Sequence, residues 1–127
     1  LHKIASGGEL SRLALAIKLI LRSEPDAVLI FDEIDAGIGG GTTEVVGRKL
    51  SRVASCNQSF CVTHSPHIAA LADHHLRVEK TVAGGRTYTA IERLSHTEKV
   101  EELARMLGGV QITDITRRHA RQLLSKE

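Results

Sequence analysis

The sequence predicts an α/β fold, a mainly parallel sheet flanked by helices with a β-hairpin behind it. Three observations carry this. Ala27-Val28-Leu29-Ile30-Phe31 is an uninterrupted apolar run of strand length, the pattern of a strand covered on both faces in a parallel sheet. A helix-spaced segment precedes it and another separates it from a second strand-like run, Ser59 to Thr63, so strand alternates with helix. Phe31, Phe60 and Tyr88 are the only aromatic residues among 127, so the core must be built from Leu, Ile, Val and Ala. That length suits one modest domain with a single core, and residues 1–127 are taken as one unit.

The chain opens on Ser6-Gly7-Gly8-Glu9. The S-x-x-E spacing is that of a capping box, in which the serine hydroxyl accepts from the N3 amide and the glutamate reaches back to the cap. Gly7 and Gly8 then occupy the first turn, where bare amides at the positive end of the helix dipole can receive an anion. From Leu10 to Leu21, Leu10, Leu13, Ile17 and Ile20 recur at three- and four-residue spacing, widened by Ala14, Ala16 and Leu21, which predicts a well-buried helix. Pro25-Asp26 breaks it, and the first strand ends abruptly in Asp32-Glu33.

Ile34 to Gly41 is a glycine-rich loop, but not a P-loop: no lysine follows the glycines, and G-x4-G-K-S/T occurs nowhere in the chain. A helix is predicted over about Thr43 to Ala54 with Val46, Leu50 and Val53 inward, then a strand ending at His64. Ser65-Pro66 marks a helix start leading into Ile68, Leu71 and Ala72. Leu76 to Val82 and Thr87 to Leu94 form a hairpin around Ala83-Gly84-Gly85, and their partial alternation predicts a sheet with one wet face. Ser95 to Glu98 repeats the capping box before Val100, Leu103, Ala104 and Leu107, with Gly108-Gly109 as the stop. Thr113 or Asp114 opens a last helix, whose Arg117, Arg118, His119 and Arg121 are most simply a solvated basic face. No internal repeat, low-complexity tract or domain linker is present.

A net charge of +2, from 17 basic and 15 acidic residues, is too weak to argue nucleic-acid binding by itself. Cys56 and Cys61, with no signal-like start and no long apolar span, predict a reduced cytoplasmic setting without a disulfide framework or a membrane. The first residue is Leu1 and a motif follows at once, which suggests a fragment lacking its N-terminal part.

In a parallel sheet ligands bind at the carboxyl ends of the strands, and both distinctive polar clusters fall there. Asp32-Glu33 ends the first strand and His64 the second, so two carboxylates and an imidazole would surround one crevice. Adjacent strand residues point opposite ways, which gives the two acids different tasks. One suits Mg²⁺ held through water, and the other can orient or deprotonate an attacking water.

These residues resemble known motifs. Ala5 to Arg12 is similar to the signature motif of ABC-type ATPases, Val28 to Glu33 to their Walker B strand, Ile34 to Gly37 to their D-loop, and Thr63-His64 to their switch histidine. Within that superfamily, Ala5-Ser6-Gly7-Gly8-Glu9-Leu10-Ser11-Arg12, Asp35-Ala36-Gly37-Ile38-Gly39-Gly40 and Met106-Leu107-Gly108-Gly109 resemble the RecN family of SMC-like bacterial DNA repair ATPases, essentially end to end, with His67 in place of an expected glutamine. The resemblance implies the C-terminal lobe of an ATPase head, with the Walker A lobe, Q-loop and coiled coil lying N-terminal to Leu1. It implies ATP and Mg²⁺ as cofactors, Asp32 positioning Mg²⁺, Glu33 polarising the water and His64 steadying the γ-phosphate. Ser6, Gly7, Gly8 and Glu9 would form the signature turn on the nucleotide of a second head, and Asp35 would work at the dimer seam. It further implies an ATP-sandwiched homodimer, DNA as a partner in double-strand break repair and recombination, and a nucleoid-associated cytoplasmic location. Without Walker A, the chain alone is expected to be inactive.

Three rivals remain. Cys56, Cys61, His64 and His67 have the C-x4-C-x2-H-x2-H order of a zinc module, although Cys61 lies in an apolar strand. A degenerate head could serve only in dimerisation or DNA docking, which would not require both Asp32 and Glu33. A transporter's nucleotide-binding domain fits the motifs but not the wording from Asp35 to Gly41.

Overall fold

The computed structural model describes residues 6–21, 27–109 and 111–125. They form two compact units that divide between Leu71 and Ala72, where length alone suggested a single core. The division follows from strand pairing: each described strand pairs only within its own unit, β1 with β2 and β3 with β4, giving two separate two-stranded sheets.

The first unit contains α1 (Gly7–Ile20), β1 (Val28–Asp32), α2 (Gly41–Ala54), β2 (Gln58–Val62) and α3 (Pro66–Ala70). β1 and β2 are parallel, in register from Val28 opposite Gln58 to Asp32 opposite Val62. The pleat sends Leu29, Phe31 and Cys61 to one face, where they join Leu15 of α1, Leu50 and Val53 of α2 and Ile68 of α3 in the core. Val28, Ile30, Phe60 and Val62 lie on the other face and are exposed, Ile30 to 72%. The expectation of a strand covered on both faces is therefore corrected: among the described residues, helices pack on one face of this sheet.

α1 departs from expectation in the same way. Its start is as predicted, with Ser6 as N-cap and a complete capping box through Glu9, while the predicted break at Pro25-Asp26 lies outside the described residues. Its buried stripe is Gly8, Leu15 and Leu19, while Leu10, Leu13, Ile17 and Ile20 look outward, Leu15 at 4% exposure and Ile20 at 81%. The helix is apolar on both sides, so its period fits either stripe. α2 begins two residues earlier than predicted but buries Leu50 and Val53 with Val46 beside them. Its Gly47 faces Leu71, whose Cδ1 would stand 2.8 Å from a Cβ there. At α3, Ser65 occupies the N-cap without a side-chain capping bond.

The second unit contains β3 (Leu76–Ala83), β4 (Arg86–Arg93), α4 (His96–Gly108) and α5 (Asp114–Leu124). Gly84 and Gly85 connect the antiparallel strands with φ of 58° and 73°, the left-handed pair that a two-residue type I′ hairpin requires. Nearly every hairpin residue is exposed on both faces, in place of the one wet face expected, because the sheet stops at two strands. α4 has its predicted capping box between Ser95 and Glu98. α5 is capped by Thr113, paired reciprocally with Thr116. The two helices pack together, burying Val100, Leu103 and Ala104 of one and Ala120 and Leu123 of the other. A Cβ on Gly108 would lie 2.8 Å from Thr116 Cγ2, so glycine permits that close approach. Arg117 Nε donates to both Glu101 oxygens, at 2.8 and 3.1 Å, so this arginine ties α5 to α4 and is not part of a purely solvated face.

Leu103 has no exposed surface. Leu103→Ala should cost the second unit about 2–5 kcal/mol, and Leu103→Met under about 1.5 kcal/mol. Urea unfolding of the two variants checks this, and equal losses would show that the α4–α5 seam is not tightly packed.

Candidate functional site

The first unit brings the N-terminus of α1, the turn after β1 and the end of β2 to one region. The Ser6 hydroxyl accepts from Glu9 N at 3.3 Å and Glu9 Oε2 accepts from Ser6 N at 2.7 Å. The backbone donor of Ser6, followed by its hydroxyl, holds the Glu9 carboxyl below the ordinary carboxylate range. Glu9 is thereby engaged in ending the helix, while the glycines beside it carry no side chain.

Gly8 fixes how close α1 can come. A Cβ there would stand 2.6 Å from the Glu33 carbonyl oxygen and 2.8 Å from Ala36 Cβ, distances a side chain cannot occupy. Gly7 faces the Glu33 carboxylate, whose Oε2 would lie 3.8 Å from a Cβ on that residue. Three backbone carbonyls of the β1 end and the following turn are then taken by α1. Ser11 Oγ donates to Asp32 O at 2.6 Å, and Arg12 Nη1 donates to Ile34 O at 3.1 Å and to Ala36 O at 2.8 Å. Glu33 stands between these anchors with φ 49°, the only described non-glycine residue in the left-handed region, a conformation that costs an ordinary residue about 1–2 kcal/mol. Both Asp32 and Glu33 are exposed, and they differ in setting: Asp32 ends the strand on the face of Val28 and Ile30, whereas Glu33 has left strand geometry.

Asp35 is 1% exposed. Its Oδ2 accepts from Thr63 Oγ1 at 2.7 Å and from His64 N at 3.1 Å, and lies 3.1 Å from His64 Nδ1. Thr63 Oγ1 in turn accepts from Ser65 N at 2.9 Å. The His64 ring lies beside this carboxylate and is itself 80% exposed. Asp35 Oδ1 has no partner. The residue expected at a dimer seam thus lies inside this unit, bridging the loop after β1 to the loop after β2.

All the sequence-predicted site residues, Ser6 to Glu9, Asp32, Glu33, Asp35 and His64, fall in this unit, with Gly7 brought against Glu33 and Asp35 against His64. Sequence reasoning missed Ser11, Arg12 and Thr63. The signal for the first two was present: Gly8, Ser11, Arg12 and Leu15 share one helical face by their three- and four-residue spacing. An exposed terminal carboxylate such as Asp32 suits Mg²⁺ held through water, and the glycine amides at the α1 N-terminus suit a phosphate.

The zinc arrangement is not formed. Among the described residues no group of three or more His, Cys, Asp or Glu side chains could hold a metal ion. Cys61 points into the core, opposite Phe31 in register, and burial pushes its thiol up to about 12, aided by Asp35 and Asp32. Cys56 is exposed. Among the described residues, no helix is long and apolar enough to cross a membrane.

Element order and the parallel strand pair give a fold of the SMC ATPase head type. A solved SMC ATPase chain, from work on ATP-driven dimerization and DNA-stimulated activation of SMC ATPases, matches the fold with a TM-score of 0.55 at 21% identity, over 84% of this chain and 65% of that one. No protein-family profile matches the chain. It is 47% identical over 127 residues to the DNA repair protein RecN of Bacillus subtilis, across 99% of this chain and 22% of that protein. It is also 46% identical over 123 residues to RecN of Vibrio cholerae and 42% identical over 125 residues to RecN of Halalkalibacterium halodurans, again across 22% of each relative. The chain is RecN-like, and it spans about a fifth of the length of the relatives it matches.

Cys56 should react with iodoacetamide at pH 8 while Cys61 stays protected until the unit unfolds. Because the folded state raises the Cys61 pKa from 9.0 to about 12, it favours the protonated thiol. Stability linked to this group is intact below pH 9 and falls as pH rises toward 12. Cys61→Ala should flatten that alkaline decline in thermal unfolding, and rapid native labelling of Cys61 would contradict its buried position.

Proposed function

We propose that this chain is the C-terminal lobe of the head of a RecN-like ATPase acting in DNA double-strand break repair and recombination. The observation that carries the proposal is the meeting of the α1 N-terminus with Glu33, in an SMC-type fold and a RecN-like sequence. In this reading ATP and Mg²⁺ supply the reactive phosphoanhydride and its counter-charge. Asp32 holds the metal through water, and Glu33, exposed and held by the turn, orients and polarises the attacking water. His64, its exposed ring seated beside Asp35, steadies the γ-phosphate. Ser6, Gly7 and Gly8 receive the γ-phosphate of a nucleotide bound by a second head, with Glu9 closing the cap. Since phosphoryl transfer depends on positioning and charge stabilisation, an N-terminal Walker A lobe must complete the site.

The apolar surfaces support such a missing layer. Val28, Ile30, Phe60 and Val62 on the sheet and Leu10, Leu13, Ile17 and Ile20 on α1 are all exposed, a pattern that favours burial by further structure. The partners proposed are the Walker A lobe of the same protein, a second head across ATP, and DNA, in the bacterial cytoplasm near the nucleoid.

Mg-ATP hydrolysis by the chain alone and after co-expression with a Walker A-bearing lobe tests this. The chain alone should be inactive and the reconstituted head active. Glu33→Gln should lower turnover by roughly 100-fold or more while keeping nucleotide binding and accumulating ATP-bound dimers. Ser6→Arg should spare binding and block dimerisation. A folded, inactive wild-type complex would leave a binding-only head as the better account.

A further inference from the structure

We infer that Arg12 is a positioning residue for Glu33, so that the helix offering its N-terminus to an anion also sets the geometry of the head's own water-polarising carboxylate. The inference rests on the proposed role of Glu33 and goes beyond it, since Arg12 closes the signature-like stretch but the resemblance assigns it no role of its own. The turn's internal bonds, Ala36 N to Glu33 O at 2.9 Å and Ile38 N to Asp35 O at 3.3 Å, leave the carbonyls of Ile34 and Ala36 pointing away from the turn. The half-buried Arg12 guanidinium accounts for both, donating from one nitrogen to two carbonyls two residues apart. Ser11 holds the carbonyl of Asp32, immediately before Glu33, and Arg12 holds that of Ile34, immediately after it. Glu33 is thus pinned on both sides by consecutive residues of α1, at the one described non-glycine position with a left-handed backbone. Gly8 completes the seat by admitting the Glu33 carbonyl where any Cβ would collide.

Two consequences separate positioning from general packing. The hydrogen bonds of Arg12 go to backbone carbonyls of the turn, so its loss should act on turnover and leave affinity for ATP nearly unchanged. A lysine ammonium has enough N–H donors for both carbonyls but lacks the planar guanidinium that fixes their direction, so it should restore only part of the effect. Displacement of α1 by an anion at Ser6, Gly7 and Gly8 would move Ser11 and Arg12 with it, because all lie on one helix. A signal at the in-trans surface would therefore reach the same head's Glu33 through the hydrogen bonds of Ser11 and Arg12.

The experiment combines two readouts. In the chain assembled with a Walker A lobe, ATP titrations should give Arg12→Ala a kcat about 10- to 100-fold below wild type with KM within about 3-fold, and Arg12→Lys an intermediate kcat. Arg12→Ala placed on Glu33→Gln should cost no further turnover. In the chain by itself, hydrogen exchange at the Ala36 amide should rise about tenfold or more in Arg12→Ala relative to amides of α2. A raised KM at unchanged kcat, losses that multiply in the double variant, or unchanged Ala36 exchange would overturn the inference. If Arg12→Ala does not fold, Arg12→Lys and Ser11→Ala carry the same comparison. Normal turnover in Glu33→Gln would sink the Glu33 assignment and this inference with it, whereas an impaired Glu33→Gln beside a full-rate Arg12→Ala would sink this inference alone.

Discussion

The arrangement of the first unit depends on one close approach, that of α1 to the turn after β1 at Gly8. A helix axis normally stands about 8–10 Å from what it packs on, a spacing set by side chains. With no Cβ at Gly8, backbone meets backbone, and the carbonyls of Asp32, Ile34 and Ala36 come within reach of Ser11 and Arg12. Those carbonyls belong to a turn that has left strand geometry and would otherwise seek water. Satisfying them from a helix makes the turn a fixed part of the fold, and a fixed turn can hold Glu33 in a backbone conformation that a free loop would abandon.

Asp35 supplies the second tie, at right angles in purpose to the first. Burying a carboxylate is costly unless donors replace its water, and here the Thr63 hydroxyl, the His64 amide and the His64 ring all address one oxygen. The loops after β1 and β2 are thereby joined, so His64 is referenced to the same turn that carries Glu33. The ties are complementary: α1 fixes the turn's carbonyls, and Asp35 carries that position across to the neighbouring strand. A site on two loops gains in this way a rigidity that loops alone lack.

How much of this could be read in the sequence depended on whether the cause was local. The boxes at Ser6 and Ser95 were legible because cap and partner lie three residues apart, and so was the Gly84-Gly85 turn. The cap at Thr113 was half legible, since Thr116 takes the position where a glutamate or glutamine would announce it. Asp32, Glu33 and His64 were singled out because strand ends are where ligands gather. Arg12 was not: its place on the helical face of Gly8 and Leu15 was visible, but its partners are carbonyls, which every residue has and no sequence pattern marks. Chain length suggests one core, but it does not report how strand pairing divides the described residues between two units.

The misassigned face of α1 shows what an amphipathic pattern can and cannot decide. Leu10, Leu13, Ile17 and Ile20 form a sound stripe, but Gly8, Leu15 and Leu19 form another on the opposite side, with Ser11 and Arg12 beside it. Hydrophobicity ranks the first stripe higher, since it is larger and carries no polar residue. The fold chose the second because only that face carries the glycine and the two donors the turn requires. Specific polar demand at the helix start thus outweighed generic apolar area along its length. A helix apolar all round is the pattern of one buried between two layers, and here only one layer lies within the unit. The outer stripe and the bare face of β1 and β2 are thus explained together: both are surfaces of a layer whose neighbours these strands and helices do not themselves provide.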